Sequence, residues 1–239
     1  MSHVKNLQSF EKLLGMCTGY EGTYNPGQQN LQVSALTTLM RQARESLTTV
    51  NAAKTAYDNA TNHREVTFGD VRTLSTRILS ALKATGALQQ TVSDARVMVR
   101  KINGTKKVNR KPLPSNEAPA AVKGRTANGL DYASLVFHFS RLLETLTAES
   151  RYQPNEPDLQ LKGLIGKLTA MQKGNSLVTL AEVDLNNARQ LRDGVLYKDN
   201  GNLYTTAQAV KQYTKSVFGT QSDQYRKVGE LPFTKPRNR

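Results

Sequence analysis

Residues 30–64, Asn30 to Arg64, read NLQVSALTTLMRQARESLTTVNAAKTAYDNATNHR. Apolar residues recur in it at Leu36, Met40, Ala43, Leu47, Val50 and Tyr57. Steps of three and four place side chains on one face of a helix. No Pro or Gly falls between Leu31 and Arg64, so the pattern predicts one helix, roughly 50 Å long at about 1.5 Å per residue. Propensity alone does not hold a helix of that length; it needs a packing partner along most of its course.

The chain supplies that partner itself. Residues 158–192 read DLQLKGLIGKLTAMQKGNSLVTLAEVDLNNARQLR, the same pattern shifted by 128 positions without a gap. Leu36, Val50, Ala53, Asn59, Ala60 and Arg64 return as Leu164, Val178, Ala181, Asn187, Ala188 and Arg192. The approach repeats too: Tyr24-Asn25-Pro26 answers to Tyr152-Gln153-Pro154. Lys54, Asn175 and Glu182 interrupt the second apolar position. A bundle with a broad apolar stripe therefore fits better than a coiled-coil seam.

Before each long run the spacing is helical as well: residues 4–19 (Leu7, Phe10, Leu13, Leu14, Cys17) match 132–148 (Val136, Phe139, Leu142, Leu143, Leu146). After the first long run, Gly69 breaks the pattern and Asp70 is placed as an N-cap. Further helices are expected over about 71–84, 88–102, 203–218 and 221–228, with Gly86 and Gly219 as stops and a turn at Lys198-Asp199-Asn200-Gly201. No strand pattern is evident. The expected fold is all-α: an elongated helical bundle built from a tandem duplication. It consists of a first repeat over 1–103, a basic linker with Pro and Gly over 104–128, and a second repeat with a basic tail over 129–239. The two long helices would lie antiparallel or side by side.

The Tyr-Asn-Pro loop, the Asn-Ala-x-x-x-Arg helix exit, Leu196-Tyr197-Lys198-Asp199, Phe218-Gly219 and Phe233-Thr234-Lys235-Pro236 resemble duplicated all-helical proteins of Bacteroidota-type bacteria. The resemblance covers nearly the whole chain except the linker. It implies the same duplicated helical fold and brings no activity, cofactor or functional residue with it.

Composition bounds the rest. A chain of 239 residues is long enough to bury a core without disulfides, and its single cysteine, Cys17, is expected as a small core residue. No stretch approaches the ~20 apolar residues of a membrane span, and residues 1–16 lack the apolar region of a signal peptide. A soluble, cytoplasmic protein is expected.

Catalytic patterns are thin. His3, His63 and His138 stand apart from any carboxylate or cysteine at ligand spacing. His138, between Phe137 and Phe139, reads as a packed side chain. Gly163-Leu-Ile-Gly166-Lys167 has the wrong spacing for a phosphate loop, lacks its Ser or Thr, and falls inside the expected helix. Ser9-Phe-Glu-Lys12 lacks companion motifs, and Asp184 and Asp193 read as solvated helix charges. No cofactor and no enzymatic activity are expected.

Charge is the one compositional extreme. Of the net +14, residues 96–125 carry nine bases against Glu117, or +8, and residues 211–239 carry seven against Asp223 and Glu230, or +5. Arg100, Lys101, Lys106, Lys107, Arg110 and Lys111 would neutralise phosphates in the first cluster. In the second, Lys211, Lys215, Arg226, Lys227, Lys235 and Arg237 alternate with Tyr213, Phe218, Tyr225 and Phe233, a pattern suited to stacking bases and holding phosphates. At helical spacing, Tyr213 and Phe218 also read as core. The leading expectation is a helical module that binds RNA, DNA or a ribonucleoprotein surface through linker and tail. The alternative is a scaffold acting through helix-face protein contacts or self-association. A membrane-active helix fits less well, because the bases do not line the polar face of an amphipathic helix.

Overall fold

The computed structural model describes residues 2–104 and 131–236. Among these it is all-helical, with no strand. Eight α-helices follow in order: α1 (Ser2–Gly19), α2 (Val33–Phe68), α3 (Val71–Ala84), α4 (Gln89–Asn103), α5 (Tyr132–Ala148), α6 (Leu161–Asp193), α7 (Leu203–Phe218) and α8 (Asp223–Gly229). Short 3-10 turns at Glu21–Thr23 and Gln29–Leu31 join α1 to α2. No described helix is long and apolar enough to cross a membrane.

The long helices form where the apolar period runs without Pro. α2 ends one residue before Gly69, and the chain turns at Gly69–Asp70. Asp70 occupies the N-cap position of α3 but makes no capping bond. Its carboxylate instead accepts from Lys167 Nζ at 2.5 Å, which satisfies the lysine and leaves the helix start to its backbone. α5, α7 and α8 are capped as such helices usually are: Asp131, Asn202 and Ser222 accept from the backbone N–H three residues on. α3 and α7 are followed by glycines at positive φ, Gly86 at 69° and Gly219 at 83°, which only glycine adopts without strain.

The chain divides into two compact units, residues 1–57 with 181–239, and residues 58–180. Each long helix begins in one unit and ends in the other.

In the first unit the core joins Phe10, Leu13 and Leu36 to Leu196, Leu203 and Val210. Burial pushes the Cys17 thiol up to about 11, so it is an inert core group. Where α6 ends, Gly194–Lys198 form a π-turn that buries Leu196 and Tyr197. The Tyr197 hydroxyl lies 2.9 Å from His3 Nδ1 and accepts from Asn6 at 3.2 Å. Asn6, 1 % exposed, also grips the backbone of Thr234, donating to its carbonyl at 2.8 Å and accepting from its N–H at 3.0 Å.

In the second unit the core joins Phe68, Ile78 and Ile102 to Leu142, Leu164 and Met171. Gly174 packs on the Arg64 backbone and Lys167 reaches Asp70, so the end of α2 and the start of α6 run antiparallel here. The Arg64 guanidinium lies over the Tyr132 ring, 4.2 Å from its centroid. The loop before α6 is tied by the buried Tyr152 hydroxyl, which donates to the Leu159 carbonyl at 2.9 Å. In the first unit Tyr24 donates to Leu31 at the same distance.

Two histidines give stability a pH dependence. Burial, then Arg192, lowers the His3 pKa against an opposing pull from Asp193. Burial, then Lys101, lowers that of His138, whose Nδ1 is buried without a hydrogen-bond partner. A lowered folded-state pKa means that the unfolded chain binds more protons just below the ordinary value of 6.5. Stability is then complete above that pH and declines as pH falls through the folded-state values. Melting temperature measured from about pH 8 to about pH 5 should fall below about pH 6.5, and His138→Gln should flatten part of the decline.

Candidate nucleic-acid interface

The bases in the last turn of α4, Arg100 and Lys101, are exposed. Part of their placement is local physics, since cations offset the negative end of a helix dipole. Their surroundings go further. The Asn103 side chain donates to Thr76 Oγ1 at 3.3 Å, which marks the register of the α3–α4 hairpin. Moving back from Asn103 by three and seven residues reaches Arg100 and Arg96; moving forward from Thr76 by four and seven reaches Ser80 and Lys83. Those steps keep each set on one helix face, so the antiparallel hairpin sets Arg100 and Arg96 alongside Ser80 and Lys83. All of these residues are exposed. No acid stands among them, because Asp94 falls on a different face of α4. The result is a basic ridge that leads through Gly104 into the linker.

Lys106, Lys107, Arg110, Lys111 and Arg237 lie outside the described residues. Lys83 and Arg96 extend the ridge beyond the sites singled out from the sequence. They are separated by 13 positions on different helices, and only the hairpin register brings them together.

The tail bases, in the first unit, are mostly turned to internal work. Lys211 donates to the Gly229 carbonyl at 3.0 Å and the Leu231 carbonyl at 2.7 Å, closing the C-terminal end of α8. Its ammonium also lies 5.3 Å from the Phe233 ring centroid, and burial lowers its pKa. Lys215 lies over Tyr225 and Lys235 over Tyr204. Arg226 pairs with Asp223 one turn back, while Lys227 is exposed. Tyr213 meets Tyr24 edge-on at 5.2 Å, and Phe218 packs on Tyr20 at 5.0 Å. The aromatic rings of this region are packing partners for its own helices and lysines.

A cavity of about 200 Å³ in the second unit is lined by Asp70, Thr73, Leu74, Arg77, Asp158, Gly163 and Lys167. Its charges are matched within the protein: Lys167 with Asp70, and Arg77 with Asp158, both at 2.5 Å. The bond from Arg77 holds the Asp158 carboxyl below its usual range. Gly163, Gly166 and Lys167 thus belong to an ordinary helix with a satisfied lysine. Among the described residues no group of three or more His, Cys, Asp or Glu is placed to hold a metal ion.

No family model matches the chain, and neither a curated protein nor a solved structure matches it.

Proposed function

We propose that the protein is a non-enzymatic helical binding module, working in the cytoplasm without a cofactor, that contacts nucleic acid through its phosphates. The observation that carries this reading is the acid-free ridge of Lys83, Arg96 and Arg100, with exposed Lys101 next to Arg100 at the end of α4, which is continuous in sequence with the basic run at 106–125. Phosphate contacts of this kind are independent of base sequence and weaken steeply with salt. Single-strand stacking on tail aromatics has less support, since those rings are packed internally.

The scaffold for this ridge is, on this reading, a tandem duplication offset by 128, with repeats over 1–103 and 129–239. Two matched features support it. Tyr24 and Tyr152 each bond the carbonyl seven residues on, and Leu36, Ala43, Leu164 and Met171 are buried at corresponding positions.

The test is a salt titration of binding to labelled RNA and DNA, using native protein and a variant with Lys83, Arg96, Arg100 and Lys101 all changed to Gln. The variant should bind about tenfold or more weakly at low salt, and its log–log salt slope should be smaller by about one for each phosphate it no longer neutralises. Equal affinity and slope for the two proteins, or no binding by native protein at low salt, would reject the assignment.

A scaffold role is the second reading, favoured by an apolar groove of about 430 Å³ between α5 and α6. Leu143, Ala148, Ile165 and Leu168 line it, and Ile165 and nearby Phe137 are over half exposed. Self-association that persists at high salt in light scattering would favour that reading.

A further inference from the structure

Neither compact unit is made from one side of the linker. Among the described residues, the second unit's core has 19 buried side chains: ten from Phe68 to Ile102, before the linker, and nine from Leu135 to Met171, after it. The first unit's core has 14 among the described residues: eight from Phe10 to Ala43 and six from Leu196 to Val228. A division this even leaves either segment alone with only about half of each core.

The exchange follows one rule. In the first unit α1 and the start of α2 meet the end of α6, α7 and α8. In the second unit α5 and the start of α6 meet the end of α2, α3 and α4. Each segment gives a short helix and the start of its long helix to one unit. It gives the end of its long helix and the returning helices to the other. This is the arrangement of a domain-swapped dimer whose two chains have been joined.

Polar contacts cross between the segments in both units. In the first, Asn6 grips Thr234 and the Tyr20 hydroxyl donates to the Gln224 carbonyl at 3.3 Å. In the second, Arg77 pairs with Asp158 and Lys167 with Asp70, while Arg151 donates to the Gly86 carbonyl at 2.5 Å.

We propose that residues 1–104 and 131–239 are complementary partner chains that assemble and hold together without the covalent link. The surface each offers is its share of both hydrophobic cores, and the partner that fits it is the other segment. Such surfaces resemble obligate interfaces, a core cut in two, which are stable only when closed. A linker raises the effective concentration of its ends, and every core residue counted above lies outside residues 105–130. This inference depends only on which residues share each core, so it stands apart from the nucleic-acid reading.

The experiment places a protease recognition sequence within residues 105–130 of the full chain and cleaves the folded protein. Light scattering coupled to size-exclusion chromatography, at low micromolar concentration, should show both fragments in one peak at the mass of the uncut chain, 26.4 kDa for the native sequence. Two folded fragments eluting at about half that mass, or loss of helicity on cleavage, would overturn the proposal. As a second measurement, the fragments are separated in denaturant and refolded together or apart. Together they should regain the helical signal and full mass. A stable helical monomer formed by either fragment alone would overturn the proposal independently.

Discussion

Phe139→Ala is expected to lower unfolding free energy by about 3–5 kcal/mol, and Phe10→Ala by about as much. Each ring is fully buried, Phe139 in the second unit's core and Phe10 in the first's. Each sits on a short helix whose other inward residues are also fixed: Leu135, Leu142, Leu143 and Leu146 beside Phe139, and Leu13 and Cys17 beside Phe10. The cost combines lost transfer free energy with a cavity that such neighbours fill only in part. Both rings belong to cores that the opposite segment completes. Urea unfolding followed by helical circular dichroism should show a lower midpoint for each variant. A loss under about 1 kcal/mol in either would mean that its site collapses around the missing ring or that the ring is not packed.

The elements were legible in the sequence because their signal is local. The expected helix of residues 31–64 corresponds to α2 at Val33–Phe68, and the run 158–192 to α6 at Leu161–Asp193. α6 stays helical through Gly163, Gly166 and Gly174, since an interior glycine costs only about 1 kcal/mol against Ala and packing outweighs that. The π-turn at Gly194–Lys198 was not legible. Its marker is tertiary, with Leu196 and Tyr197 drawn inward and Asp199 held against Gly194. Nor was the sharing of each unit between segments, because periodicity says which face is buried and not which helix covers it.

The charges divide in the same way. Arg100 and Lys101 can be read as part of a basic run, but the ridge that Arg100 shares with Lys83 and Arg96 needs the hairpin register that the Asn103–Thr76 bond marks. Lys211 looks like any other tail lysine in sequence. Its commitment to the Gly229 and Leu231 carbonyls follows from how the chain after α8 lies along α7. Asp70 is correctly placed as a boundary residue, yet a lysine 97 positions away takes the carboxylate that would otherwise cap α3.

The glycines of α6 separate packing from propensity, and substituting them should give opposite signs. A Cβ added at Gly163 would collide with the Pro157 carbonyl oxygen, a backbone atom that no side-chain rotation can move aside. At Gly166, three residues on, a Cβ meets nothing within 4 Å. Gly163→Ala should therefore cost about 2–3 kcal/mol, because the start of α6 must withdraw from the loop that carries buried Leu159 and the Tyr152 bond to its carbonyl. Gly166→Ala should gain about 0.5–1 kcal/mol by narrowing the freedom of the unfolded chain and favouring the helix. The difference in urea midpoint between the two variants is the quantity to measure. Equal stabilities would mean that the α6 start is not pressed against Pro157. The predicted split would assign Gly163 to close backbone packing and leave Gly166 without a structural requirement. Neither role involves a phosphate, which agrees with the helical setting of the Gly-x-x-Gly-Lys sequence and with Lys167 being held by Asp70.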